Sequence, residues 1–162
     1  MAARIVEVRN AIVTKVGNAW VSRGSIDDAV TGPWRLDIDT KKLKGRQVFV
    51  FPSTYTGNPA NRAQDQNEYT LVLLVAEVYR GTPAGDPPDA WIDERVLFCE
   101  WLANDVLGNP RAERLLAVEG ESESGLWPES VEVTTVYDVE ELAERKLFLS
   151  VITATFREDA GE

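Results

Sequence analysis

Apolar positions along the chain follow helical spacing in two segments. Residues 4–16 place Ile and Val side chains on one stripe of a helix, and Gly17 follows as a stop signal. Residues 87–107 repeat helical spacing after Asp86, which is a candidate N-cap because its carboxylate can accept from the first free N–H groups. We therefore predict an N-terminal helix over 4–16 and a main helix over 87–107.

Four other segments have the composition and alternation of β-strands. Residues 46–56 alternate and are rich in Val and Phe, although Pro52 lacks an N–H and indicates an edge position or a bulge. The run Leu71–Ala76 is apolar at every position, so both faces of its strand need a cover, from this chain or from another copy. The predicted strands lie near 46–56, 68–80, 130–138 and 146–157, and the first two are joined by a long polar loop over 57–67.

These elements predict a single α+β domain over 1–162, with a mainly antiparallel sheet of about four strands packed against two helices. The length of 162 residues suits one domain. The 44% of apolar and 27% of charged residues match ordinary globular proteins. Because the longest apolar run is far shorter than the roughly 20 residues that span a bilayer, we expect no membrane association.

Composition excludes several kinds of chemistry. The sequence has no histidine, which excludes Ser-His-Asp and Cys-His nucleophile systems and His-ligated zinc. Its one cysteine, Cys99, lies on the core stripe of the main helix with no basic neighbour expected to lower its pKa, so an inert buried thiol is expected. Asp37 and Asp39 could touch a cation, but they lack the pattern of a calcium loop. We therefore expect no metal, no cofactor and no enzymatic activity.

The charges are distributed unequally between the two halves of the chain. The net charge is −10, which opposes general binding to nucleic acid. Residues 1–80 hold 11 Lys and Arg against 8 Asp and Glu, whereas residues 81–162 hold 6 against 19. A basic cluster runs from Lys41 to Arg46, and an acidic tract from Glu119 to Glu144. Either these are solvated surfaces, or they are complementary edges that meet when copies pack head to tail.

Two features give candidate interface residues. The loop after the first long strand offers polar side chains for docking, and the basic cluster precedes that strand. Trp101 falls off the apolar stripe of the main helix, so it packs either on its own core or on another subunit. The candidate interface residues are Tyr55, Asn58, Arg62, Gln64, Asp65, Lys41, Lys42, Lys44 and Trp101.

The order of these elements suggests a family. A strand near FVFP and a second strand EYTLVLLVAEVY precede Asp89-Ala90-Trp91 at the start of the main helix, and Gly125-Leu126-Trp127 precedes the late strands. Over nearly the whole chain this resembles the tail terminator (tail completion) proteins of long-tailed bacteriophages. The resemblance implies a ring, usually hexameric, that caps the tail tube, ends its polymerisation and presents a surface to the head connector.

The resemblance also implies partners and a location. The partners are copies of the chain itself, the tail tube protein and the head connector or neck proteins. The location is the head-proximal end of the virion tail, after assembly in the host bacterial cytoplasm. DNA passes through the lumen without specific binding, and the family supplies no catalytic residues.

Three other functions remain open from the sequence. The acidic tract also suits a small inhibitor or immunity-type protein that mimics nucleic acid. Another neck or head-closure subunit has the same general features. An enzyme that uses carboxylates alone would need a cleft with converging Asp or Glu of raised pKa.

Overall fold

The computed structural model describes residues 4–22, 29–31, 38–43, 45–56, 66–81, 85–108 and 126–159. Within these residues the chain forms one α+β domain, which confirms the predicted fold class. The elements in chain order are α1 (Arg4–Ser22), β1 (Ala29–Thr31), β2 (Gln47–Thr56), β3 (Gln66–Val78), α2 (Asp89–Trp101) with a π-helical continuation (Leu102–Leu107), β4 (Leu126–Thr135), α3 (Val139–Arg145) and β5 (Leu147–Asp159).

The described strands form a single sheet in the order β1-β2-β3-β5-β4. The four long strands are antiparallel to their neighbours, and the short β1 runs parallel to β2 at one edge. In the centre of the sheet Phe51 pairs with Val72, and Val72 pairs with Thr153. The prediction of a mainly antiparallel sheet is therefore confirmed, with β1 as an added edge strand.

The two faces of the sheet are covered differently. We call the face that packs against α1 and α2 the first face, since Ile12 and Phe98 join its strand residues in one buried cluster. Side chains alternate along each strand, so the remaining strand positions point to the second face. There Leu43 packs with Ala76 and Leu147 in a smaller cluster at one end. The large core thus lies between the first face and the helices.

The N-terminal helix continues beyond its predicted end at 16. Gly17 lies inside α1, although glycine in a helix interior costs about 1 kcal/mol relative to alanine. Trp20 follows Val16 by four residues and is buried, with its ring 4.8 Å from that of Phe98. Burial of this large indole offsets the cost of the glycine, because it is worth about 1.5–3 kcal/mol or more.

The main helix begins two residues later than predicted. Asp86 does not cap it, since its carboxylate accepts from Lys146 Nζ at 2.8 Å. Pro88 occupies the N-cap position without a side-chain hydrogen bond, and the α-helix starts at Asp89. After Trp101 the backbone changes to a π-helix, and Leu102, Ala103, Val106 and Leu107 are all buried there. The predicted span of 87–107 therefore consists of two kinds of helix.

The late strands are shifted from their predicted positions. β4 begins at Leu126 rather than near 130, because the Leu126 side chain is fully buried in the core. Pro128 is tolerated there since the register shifts beside it and β4 is an edge strand among the described residues. The strand ends at Thr135, and Asp138 then caps α3 by accepting from the Glu141 N–H.

Candidate interaction surfaces

The basic cluster predicted before the first long strand does not remain together. Arg46 is only 12% exposed, and its Nε donates to Glu77 Oε1 at 2.9 Å. Arg95 of α2 donates Nη2 to Oε2 of the same carboxylate at 2.6 Å. The two guanidinium groups also lie over the rings of Phe98 and Trp91. Arg46 is therefore part of the internal packing rather than of an exposed basic surface.

The turn over 38–43 holds two lysines of that cluster at the surface. Lys41 and Lys42 are both exposed. Asp39 fixes the turn, because its carboxylate accepts from the Lys41 N–H at 3.0 Å and its carbonyl accepts from the Lys42 N–H at 3.0 Å. Leu43 anchors the turn in the buried cluster of the second face.

Two arginines that are distant in sequence hold this turn. Arg80 follows β3, and its Nη2 donates to the carbonyls of Thr40 and Leu43, both at 2.9 Å. Arg145 ends α3, and its Nη2 donates to the Ile38 carbonyl at 2.9 Å. Both side chains belong to exposed residues, so four cations share one small surface. We call this group the basic turn cluster: Lys41, Lys42, Arg80 and Arg145.

The outward side of α2 is acidic. Its sequence contains one basic residue, Arg95, and that side chain turns inward to Glu77. In the middle of this side Leu97 is 60% exposed. Residues three and four positions away on a helix lie beside it; three of these four positions hold exposed carboxylates, and the fourth holds the half-buried Trp101. We call this group the α2 outer face: Asp93, Glu94, Leu97 and Glu100.

The predicted interface residues are only partly described by the structure. Trp101 is half-buried, and its ring lies 5.6 Å from that of Phe98, so it packs at least in part on its own core. Tyr55 lies in β2, where its backbone pairs with Tyr69 of β3. Outside the described residues lie Lys44, Asn58, Arg62, Gln64 and Asp65.

A carboxyl pair lies at the far end of the sheet. Glu68 of β3 pairs across the strands with Arg157 of β5, and Arg157 also pairs with Trp127 of β4. A hydrogen bond and the negative charge from Glu129 raise the pKa of Glu68 above its ordinary value, while the charge of Arg157 acts in the opposite direction. Glu68 therefore keeps its proton to a higher pH than an isolated glutamate does.

Cys99 is buried on the first face, as its position on the helical stripe predicts. Burial raises the pKa of its thiol to about 11, although a hydrogen bond to Ser150 and the charge of Arg46 act to lower it. The expectation that Cys99 has no basic neighbour is wrong, since Arg46 approaches it from outside α2. Burial is the larger effect, so the thiol remains protonated and unreactive near neutral pH.

Three surface residues of these groups were not predicted from the sequence. The exposure of Leu97 could have been predicted, because four successive apolar residues, Val96–Cys99, cannot all face the core from one helix. The positions of Arg80 and Arg145 beside the turn could not have been predicted from the sequence. Their contacts with the turn depend on how β3, α3 and the turn come together at one end of the sheet.

No family model matches the sequence. No curated protein matches it either. Among the residues that the structure describes, no group of three or more His, Cys, Asp or Glu side chains is arranged to hold a metal ion. In the same residues, no helix has the length and apolar character needed to cross a membrane.

Proposed function

We propose that the chain is a structural protein of a bacteriophage tail. Copies form a ring at the head-proximal end of the tail tube, where the ring ends tube polymerisation and joins the tube to the head connector. The resemblance in element order supports this role. Its two local sequence features open elements of the fold, since Asp89 begins α2 and Leu126 begins β4.

The observation that carries the proposal is the spread of exposed apolar side chains over separate parts of the surface. Leu97 is exposed on α2, and Trp127 is 38% exposed near the start of β4. Val136 and Val139 are exposed where β4 leads into α3. Apolar side chains that are exposed singly are common on protein surfaces, so these residues count as separate points of contact and not as one apolar patch. A ring subunit touches two neighbours, the tube and the connector, so it needs several separate contact surfaces.

The second face of the sheet adds to this picture. Phe51 of β2, Val72 of β3 and Val151 of β5 are half-buried there, on strands that lie side by side. On the first face the neighbouring side chains are fully buried by helices. A face that stays partly exposed and apolar favours a protein whose work is contact with other subunits.

In this role the chain acts by shape and charge and not by a reactive group. Its partners are copies of itself, the tail tube protein and the head connector or neck proteins. Its place is the head-proximal end of the virion tail, after assembly in the host bacterial cytoplasm. A net charge of −10 suits a ring through which DNA passes without being held.

One observation favours a second candidate function. The α2 outer face presents three carboxylates without an exposed cation on the same helix, as a small acidic inhibitor or immunity-type protein would. Such a protein would act as a stable monomer. Its binding to a basic partner would weaken steeply as salt increases, because the attraction is screened.

Tube assembly in vitro tests the proposed role. Tail tube protein from the same phage is polymerised alone, with this chain, and with an unrelated acidic protein of the same net charge. We expect rings of this chain at one end of the tubes and shorter tubes, seen by negative-stain electron microscopy, and no effect of the unrelated protein. Tubes of unchanged length with bare ends would contradict the proposal.

A further inference from the structure

The α2 outer face and the basic turn cluster lie on opposite sides of the sheet. α2 packs on the first face, where Phe98 and Cys99 join the main core. The turn over 38–43 packs on the second face, where Leu43 joins Ala76. The two surfaces of one copy therefore pack on different faces of the sheet.

The α2 outer face has the composition of an interface centre. Leu97 supplies an exposed apolar side chain, and Asp93 and Glu100 flank it four residues before and three residues after. Glu94 completes the group and also contacts Arg95 Nη1 at 3.0 Å. An apolar centre with charges around it matches the usual arrangement of protein–protein interfaces.

The basic turn cluster has complementary charge. Two carboxylates contact the cluster directly: Asp39 accepts from the Lys41 N–H, and Glu141 accepts from Arg145 Nη1 at 3.0 Å. Glu140 and Glu144 are exposed elsewhere on α3. The backbone contacts of Arg80 and Arg145 hold the turn in place. Lys41 and Lys42 are thus presented on a fixed backbone, which lowers the entropy lost on binding.

We propose that the α2 outer face of one copy docks on the basic turn cluster of the next copy. The inference deepens the proposed function and rests on it, because it names the surfaces that join neighbouring subunits. In a row of copies joined in this way, the copy at one end has an unoccupied α2 outer face, and the copy at the other end has an unoccupied basic turn cluster. Such a head-to-tail arrangement closes into a ring when the rotation between copies permits it.

Charge reversal tests this contact. The variant Asp93→Lys with Glu100→Lys changes the net charge of each copy from −10 to −6. A control of matched charge compares Asp93→Lys alone with Asp105→Lys, which changes an exposed residue of the π-helical continuation outside the α2 outer face; each changes the net charge from −10 to −8. We expect the double variant to weaken self-association by about tenfold or more, Asp93→Lys to weaken it more than Asp105→Lys, and Asp105→Lys to leave it within about threefold. Light scattering over a range of concentrations measures all three, and circular dichroism checks that each variant is folded.

A compensating variant makes the test specific. Lys41→Glu with Lys42→Glu alone should weaken self-association to a similar degree. A mixture of this variant with the Asp93→Lys, Glu100→Lys variant should form mixed pairs, since each supplies a surface that suits the other. A mixture that associates no better than either variant alone would overturn the proposed contact.

Cross-linking tests the direction of the contact. Chains with Lys42→Cys and chains with Leu97→Cys are mixed under mild oxidation, while native Cys99 stays buried and protonated. We expect mixed dimers in the mixture and far fewer dimers when either variant is oxidised alone, because a head-to-tail contact pairs unlike surfaces. Equal dimer yields from one variant alone would overturn it.

The outcomes separate the inference from the proposed function. If the native chain forms rings and all these variants form the same rings, the named surfaces are wrong while the ring role stands. If the native chain does not self-associate, alone or on tail tubes, both are wrong. If the α2 variant loses binding to a basic partner but keeps its ring, the outer face serves that partner and the inference is again wrong.

Discussion

The two faces of the sheet differ in how completely this chain buries them. On the first face Leu73 and Ile152 have no exposed surface, because two helices cover them. On the second face Phe51, Val72 and Val151 occupy equally central strands and remain half-buried. The same strands thus provide a fully buried core on one side, and on the other a face where the buried Leu74 lies among partly exposed apolar residues.

This difference assigns different work to the two faces. Stability resides mainly on the first face, since burial of apolar area is the largest favourable contribution to folding. The second face combines apolar residues with paired hydroxyls such as Thr70 and Thr155, whose oxygens lie 3.1 Å apart. We expect changes on the first face to alter folding, and changes on the second to alter association more than folding.

Truncating one phenylalanine on each face gives the largest expected difference. Phe148 is fully buried, with the rings of Trp91 and Tyr137 each 6.2 Å away. Phe148→Ala should lower the free energy of unfolding by about 3–5 kcal/mol. Phe51→Ala, the same truncation on the second face, should lower it by about 1 kcal/mol, since less area leaves water on folding. Urea unfolding of both variants measures the difference, and equal losses would contradict it.

Breaking the ion pairs at the edge of the core should have the next largest effect. Glu77→Ala removes the largely buried carboxylate that Arg46 and Arg95 share and leaves them the exposed Glu94, which lies 3.6 Å from Arg46 Nη2 and 3.0 Å from Arg95 Nη1. We expect a loss of about 2 kcal/mol in the free energy of unfolding, since each guanidinium is largely buried. Glu144→Ala, on the exposed side of α3, should change it by less than about 0.5 kcal/mol. Similar losses from the two variants would show that the pairs at Glu77 contribute little.

The helix cap beside the exposed valines should have a smaller effect. Asp138 accepts from the Glu141 N–H at 3.1 Å at the start of α3. Asp138→Ala should cost about 1 kcal/mol and Asp138→Asn clearly less, because asparagine retains an oxygen that can accept the bond. Thermal unfolding followed by circular dichroism compares the two variants. An asparagine variant as unstable as the alanine variant would contradict the capping role.

The carboxyl pair at the far end of the second face should give the smallest effect, seen only as a pH dependence. The raised pKa of Glu68 means that the folded chain holds its proton more tightly than the unfolded chain. This contribution to stability is present at acid pH and is lost as pH rises through the raised pKa. Glu68→Gln should therefore flatten the pH dependence of urea unfolding just above the ordinary pKa of a glutamate. An unchanged pH profile in that variant would show that Glu68 and Glu129 are not coupled.

Local patterns predicted the sheet and the helices but not their ends. Alternation of apolar residues indicated β2, and the continuous apolar run Leu71–Ala76 indicated β3 as a strand with both faces covered. The end of α1 was wrong, since Gly17 is a stop signal only where nothing beyond it packs, and Trp20 packs on Phe98. The start of β4 was wrong because Leu126 belongs to the core although its neighbours are turn-forming residues.

The surfaces were less predictable than the fold. Charge counting found Lys41 and Lys42 but also included Arg46, whose burial against Glu77 depends on long-range strand pairing. Arg80 and Arg145 bind the turn through its backbone carbonyls. Because nearly every residue has such a carbonyl, the sequence does not show which ones accept these hydrogen bonds. The residues of one interface come from distant parts of the chain. A single sequence can therefore indicate the charge of a segment, but it does not show which segments form one interface.

The mass of the protein in solution tests the assembly role most directly. Light scattering of the native chain is measured over a wide range of concentrations and at low and high salt. The account predicts one closed species with a mass several times 18.0 kDa, which dissociates as salt weakens the charged contacts. A mass of 18.0 kDa at every concentration, with and without tail tubes present, would contradict it.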